Sequence, residues 1–218
     1  MNEEIYYFLS KYPEFTYQVK DNKKILEGNL HLNHEFQGVH FINDYTIQII
    51  FDADEAVIVP TIREISKKIV KQYSHLYTDK SLCLSTLPEL YNFFKQGGED
   101  ILVRWIDFFV IPYFFSYEYY QKYKIYPFGE RSHGTLGIIE YYQEYFKVDS
   151  TDDVLNLVQY FLKCKKYRGH IQCPCGSEKK LRDCHGKEAL EVMKSAEKKI
   201  ILQILYESYL REKNINER

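Results

Sequence analysis

The chain has 218 residues, 45% of them hydrophobic and 17% aromatic, with 21 Tyr and 14 Phe. That length suits one medium domain with a small appendage, or two small domains, with enough apolar mass for real cores. A net charge of −2 argues against wholesale binding to nucleic acid or to an anionic membrane. No apolar run approaches the ~20 residues of a membrane helix. The start, Met1-Asn2-Glu3-Glu4, lacks the basic and apolar stretches of a signal peptide. Five cysteines, an odd number, fit a reducing compartment better than a disulfide scaffold. A soluble, cytoplasmic protein is expected.

Residues 2–11 read as a short helix. Phe15 to Val19 alternates as a strand does, and Ile25 to Leu32 reads as a second strand. Tyr45 to Phe51, β-branched and aromatic throughout, gives a third. Val57 to Ile65 gives a fourth, broken by Pro60. Asn22 and Asn43-Asp44 are expected to turn the chain between them, so the spacing predicts an antiparallel meander. Asp100 to Val110 predicts an aromatic helix around Trp105 that ends near Pro112, and Gly134 to Phe146 predicts another. Ser150-Thr151-Asp152-Asp153 supplies a hydroxyl cap and first-turn acids for a helix running to about Lys163. From Lys187 onward there is no Gly or Pro. Ala189, Met193, Ala196, Ile200 and Ile204 fall on one face of a terminal amphipathic helix. The aromatic run Tyr113, Phe114, Phe115, Tyr117, Tyr119, Tyr120 and Tyr123 is read as core and subunit contact. It lacks the interleaved basic residues of a nucleic-acid stacking surface.

The sharpest chemistry lies at Cys173-Pro174-Cys175-Gly176-Ser177, followed by Cys184-His185. Three thiolates and one imidazole suit tetrahedral zinc. Pro174 stiffens the first pair, and Gly176 permits the tight return. So short a segment has no core of its own, so metal binding supplies its folding free energy, on the order of ~10 kcal/mol in comparable peptides. Between Lys163 and Lys187 stand eight Lys or Arg against two acids. That excess is either a solvated basic face or a docking face for an acidic protein or nucleic acid. The ligand set, the Pro, the Gly-Ser and the basic stretch resemble the SEC-C motif. The resemblance implies a docking module that recruits a target protein. Four protein ligands leave no open position for a substrate.

A second resemblance covers roughly residues 12–146. Gly28, Phe51, Val59-Pro60 and the stretch from His75 to Leu82-Cys83-Leu84 resemble the ubiquitin-conjugating (UBC-like) fold. Trp105 and Pro127 to Gly134, with Gly137-Ile138, resemble its bacterial relatives in antiphage defence operons. The resemblance implies an α+β fold with a four-stranded antiparallel meander and flanking helices. It implies a cysteine that accepts the C-terminus of a ubiquitin-like protein from an activating enzyme and passes it to a target amine. Cys83 is the expected nucleophile. His75 and His133 are candidates for oxyanion donor, base or structural support, and Asp79 for orienting the amine. Eukaryotic members place a His-Pro-Asn triplet before the cysteine. Here Leu76-Tyr77 follows His75, so either another group replaces that Asn or catalysis is absent. A lone cysteine between leucines also reads as a small buried hydrophobe. A Cys83–His133 thiol hydrolase is a third reading, but no Asn or Asp is evident to orient the His. Cys164, between lysines, reads as incidental. The expected division is a UBC-like domain at 1–149, a linking helix at 150–166, a SEC-C zinc knuckle at 167–187 and a C-terminal helix at 188–218.

Overall fold

The computed structural model describes residues 3–52, 59–129 and 132–216. The chain divides into two compact units, one of residues 1–85 with 90–130, the other of 86–89 with 131–218.

In the first unit, α1 (Glu3–Lys11) carries acids in its first turn and Lys11 in its last, matching the helix dipole, and buries Ile5 and Phe8. A four-stranded antiparallel sheet follows in the order β1 (Thr16–Lys20), β2 (Lys23–Phe36), β3 (Val39–Asp52) and β4 (Thr61–Glu64). Its register places Leu26 opposite Ile49, Leu30 opposite Tyr45 and Ile49 opposite Ile62. All of these side chains are buried, so one face of the sheet is the core and the other is open. The meander is therefore as expected, but one of its turns is not. Asp21 and Asn22 turn β1 into β2, with φ of 50° and 59°. Between β2 and β3 the turn is at Gln37-Gly38, φ 51° and 76°. Two successive positive φ values match the right-handed twist of the flanking strands. Asn43 and Asp44 lie inside β3 instead, opposite Leu32 and His31. Their side chains find partners there, Asn43 donating to Glu118 and Asp44 bonding His31. Part of the expected fourth strand, residues 57–58, lies outside the described residues.

Next come α2 (Leu87–Phe94) and a long helix built of α3 (Ile101–Trp105), a π-helical turn at Ile106–Val110, and α4 (Ile111–Tyr123). The expected stop near Pro112 does not occur. Pro112 has no amide hydrogen to donate, and the wider π-helical turn just before it lets the helix pass through. Trp105, Phe114 and Phe115 are fully buried. The ring of Tyr45 stacks on Phe114 at 4.0 Å, which bears out the core reading of the aromatic run. Its outer end differs, because Tyr123 is exposed.

The second unit is helical. Its elements are α5 (Gly134–Phe146), α6 (Thr151–Lys163), α7 (Gly186–Lys194) and α8 (Ala196–Asn216). The Ser150 hydroxyl accepts the Asp153 amide at 3.0 Å, which is the expected cap of α6. Packing divides near residue 130 rather than at 149, because Ile139, Tyr142 and Phe146 of α5 share a core with α6. Residues 150–166 are not a linker, since Val154, Leu157, Val158 and Phe161 are among the most buried side chains of the unit. The terminal helix is two helices, because Ser195 is extended (φ −123°, ψ 115°). Its hydroxyl accepts the Lys198 amide and restarts the helix as α8. The break resets the rotation, so Ile201, Leu202 and Leu205 face inward while Ala196 and Ile204 are exposed. Among the described residues no helix is long and apolar enough to cross a membrane.

Candidate metal centre

The segment before α7 folds back on itself. The Leu181 amide donates to the Ile171 carbonyl and the Cys173 amide to the Lys179 carbonyl, each at 2.8 Å. Gly176 makes the tight return with φ 76°, a conformation that disfavours any side chain. A short 3₁₀ turn, Leu181–Asp183, then delivers Cys184 and His185. Gly186 must be glycine for a different reason. A Cβ there would lie 2.5 Å from the Tyr167 hydroxyl and 2.9 Å from the Leu181 carbonyl.

This turn brings together all four expected ligands, whose donor atoms lie within 4.8 Å of one another. Cys175 Sγ is 3.4 Å from Cys173 Sγ and 3.6 Å from Cys184 Sγ. His185 Nδ1 is 3.3 Å from Cys173 Sγ and 3.2 Å from Cys184 Sγ. Zinc bonded at ~2.3 Å to sulfur and ~2.0 Å to nitrogen would set tetrahedral edges of roughly 3.5–3.8 Å, so a slight expansion admits the ion. Cys173, Cys175 and His185 are buried.

The imidazole is oriented by a second bond. His185 Nε2 lies 2.7 Å from the Phe146 carbonyl, which can only accept, so Nε2 carries the proton and Nδ1 is left bare toward the thiols. The sulfurs are supported likewise. The Ser177 hydroxyl lies 3.2 Å from Cys175 Sγ and 3.3 Å from Cys184 Sγ. Burial pushes the Cys173 thiol up to about 12. Burial raises Cys175 too, but hydrogen bonds with the Ser177 hydroxyl and amide, and then with Cys173 and Cys184, outweigh it and bring that thiol down to about 7. Ser177, Tyr167 and the Phe146 carbonyl are supports that the ligand spacing did not reveal. Ser177 stood in the Gly-Ser signature. The other two belong to the tertiary fold.

The arrangement is a closed Cys3His knuckle whose four ligand atoms could hold a metal ion. Residues 172–187 match the SEC-C motif family. No curated protein and no solved structure matches the chain. The basic residues around the knuckle, Lys163, Lys165, Lys166, Arg168, Lys179 and Lys180 among them, are exposed. Arg182 pairs with Asp183 at 3.5 Å.

Of the other candidate residues, His75 and Cys83 come together in the first unit, a ring nitrogen of His75 lying within 4.8 Å of Cys83 Sγ. Leu76 bridges to Leu82 across a tight turn, and the Cys83 amide donates to the His75 carbonyl at 2.8 Å. That carbonyl also accepts the Tyr113 hydroxyl at 3.1 Å. His75 thus shapes the loop through its backbone, with its ring edge-on to Tyr126. Cys83 is half-buried, and the Tyr77 hydroxyl donates to its Sγ at 3.2 Å. Burial raises the Cys83 thiol above its ordinary pKa, against the opposing Tyr77 bond. Asp79 is turned to other work. Its carboxylate accepts the Ser81 hydroxyl and amide, which hold it below the usual range, and it pairs with Arg63. His133 stands in the second unit as the exposed residue that precedes α5. The Cys164 thiol donates to the Lys166 carbonyl at 3.1 Å, a local bond that fits its incidental reading.

Proposed function

We propose that the chain is a UBC-like thioester carrier whose SEC-C knuckle binds zinc and docks a target or partner protein. The observation that carries the docking half is the closed ligand set. Three thiols and an oriented imidazole fill four positions and leave none for chemistry. Zinc when bound would supply structure, held by Cys173, Cys175, Cys184 and His185. The carrier half is supported by element order. A helix, a four-stranded antiparallel meander and then a looped cysteine follow one another as the UBC-like resemblance implies.

The chemistry is a pair of acyl transfers. Cys83 loses its proton and attacks the activated C-terminal carbonyl of a ubiquitin-like protein. The new C–S bond forms as the activating enzyme's thiolate leaves. A target amine then attacks, an amide forms, and the Cys83 thiolate is expelled. His133 and His75 are the proposed bases or oxyanion donors. The test combines the chain with its activating enzyme, ATP and the ubiquitin-like partner. A reductant-sensitive adduct is expected on the wild type and a persistent ester on Cys83→Ser. Absence of any adduct with the genuine partner refutes the carrier reading.

One observation favours a second reading, a catalytically inactive UBC-like adapter. Burial raises the Cys83 thiol where a carrier cysteine profits from a lowered one. The pH profile of Cys83 alkylation separates the two. The adapter reading expects a midpoint above the free-thiol value of about 8.5, raised further in Tyr77→Phe. A midpoint below that value favours the carrier.

A further inference from the structure

Given that the four-ligand knuckle binds zinc, we propose that the metal is a structural requirement of the entire second unit, α5 to α8, and not of the knuckle alone. Three features carry this. First, the knuckle has no separate interior. Cys173, Cys175 and Leu181 belong to the same buried cluster as Val154, Leu157 and Phe161 of α6. A detachable motif would keep its ligands among its own loops. Second, the ligand set reaches across the chain. His185 is bonded to the carbonyl of Phe146, 39 residues earlier and the last residue of α5. The last carbonyls of a helix have no partner within it, so His185 closes the end of α5. Third, His185 also starts α7, since its own carbonyl accepts the Ala189 amide at 3.1 Å. One ligand therefore joins the end of one helix to the beginning of another, and α7 leads into α8 after the single residue Ser195. With no metal, three thiols and an imidazole would sit in this core held only by one another, Ser177, neighbouring backbone and the Phe146 carbonyl, so the packed helices are penalised along with the loop.

The inference rests on the metal reading, and one experiment distinguishes their failures. Full-length protein is purified with zinc, its metal content measured, and amide hydrogen exchange followed before and after a zinc-selective chelator. One zinc per chain is expected. Stripping is expected to speed exchange at least about tenfold throughout residues 134–146, 151–163 and 186–212, where locally stable helices would be unmoved. Exchange in β2 and β3 of the first unit should stay unchanged, and re-added zinc should restore protection. If zinc is present and stripping it speeds exchange only within 172–187, the inference is wrong while the metal reading stands. If the purified chain holds no metal and takes up none, both fall. Cys184→Ser supplies a second route, with the same regional pattern expected without chelator. Normal protection of α5 and α8 in that zinc-free variant would also overturn the inference.

Discussion

In the first unit, order comes from pairing along long strands. β2 and β3 run antiparallel for fourteen residues each, and the aromatic helix Ile101 to Tyr123 covers their apolar face. In the second unit, four helices converge on a knuckle whose ligands span only thirteen residues of sequence. The first core is chiefly rings and aliphatic chains, and its buried Glu64 carboxylate is bonded by the Ser66 hydroxyl. The second includes sulfur and imidazole, groups that gain from burial only with a partner. The units should therefore answer differently to the same perturbations.

The largest expected difference comes from paired core truncations. Leu157→Ala in the second unit should cost about 2–5 kcal/mol, and Trp105→Ala in the first about 3–5 kcal/mol, because both side chains are fully buried. Thermal unfolding with and without chelator turns the pair into a test of the comparison. Chelator should deepen the loss for Leu157→Ala and leave that for Trp105→Ala where it was. Equal chelator effects in both variants would break the contrast between the units.

A smaller effect is expected at Gly28, where β2 passes under the residues leading into β1. A Cβ on Gly28 would meet the Glu14 carbonyl oxygen and the Phe15 Cα, both at 2.6 Å. These are backbone atoms and cannot step aside as a flexible side chain can. Gly28→Ala should therefore cost about 1–3 kcal/mol, as overpacking does, with the loss confined to the first unit. Denaturant unfolding followed by Trp105 fluorescence measures it, and a neutral result would mean that the start of β1 shifts freely.

These contrasts also explain what could be read from the sequence. The knuckle was legible because its chemistry is local. Cys173, Cys175, Cys184 and His185 declare their purpose by residue type and spacing, and Gly176 by its turn. The strands were legible by alternation, and α5 and α6 by period and by the Ser150 cap. The turn at Gln37-Gly38 was missed because Asn43-Asp44 is the stronger local turn signal. Partners distant in sequence, Glu118 and His31, decide the matter instead. Pro112 misled in the same way, since nothing local announces the π-helical turn that accommodates it. The role of the Phe146 carbonyl was invisible, because a backbone oxygen carries no sequence signature. Cys83 stayed ambiguous because a nucleophile and a small buried hydrophobe are spelled the same way. Its environment, not its neighbours in sequence, distinguishes them.

The smallest expected effect lies on the open face of the sheet and is a polar counterpart to the buried Cys3His cluster. His31 Nε2 meets Glu14 at 2.8 Å and its Nδ1 meets Asp44 at 2.6 Å, tying the approach to β1, β2 and β3 together. The hydrogen bond to Glu14 first, and that to Asp44 second, raise the His31 pKa. Hydrogen bonds from His31 and then Asn29 lower that of Glu14. The raised His contributes stability fully below its unfolded pKa of about 6.5 and loses it as pH rises through the higher folded value. The lowered Glu contributes fully above its unfolded pKa of about 4.3 and loses it as pH falls through the lower folded value. Both contributions are whole only between those two unfolded values. All three side chains are more than half exposed, so water and salt screen the bridge and the effect on stability is slight. Proton NMR titration of His31 should show a midpoint above the ordinary histidine value at low salt, lower in Glu14→Gln and lower again at high salt. A metal site buried among thiols is not weakened by ionic strength in this way. If the His31 midpoint is ordinary and indifferent to salt, the bridge is not populated. The open face of the first unit is then held by its backbone ladder and its remaining pairs, Thr46 with Asn29 and Gln48 with Glu27.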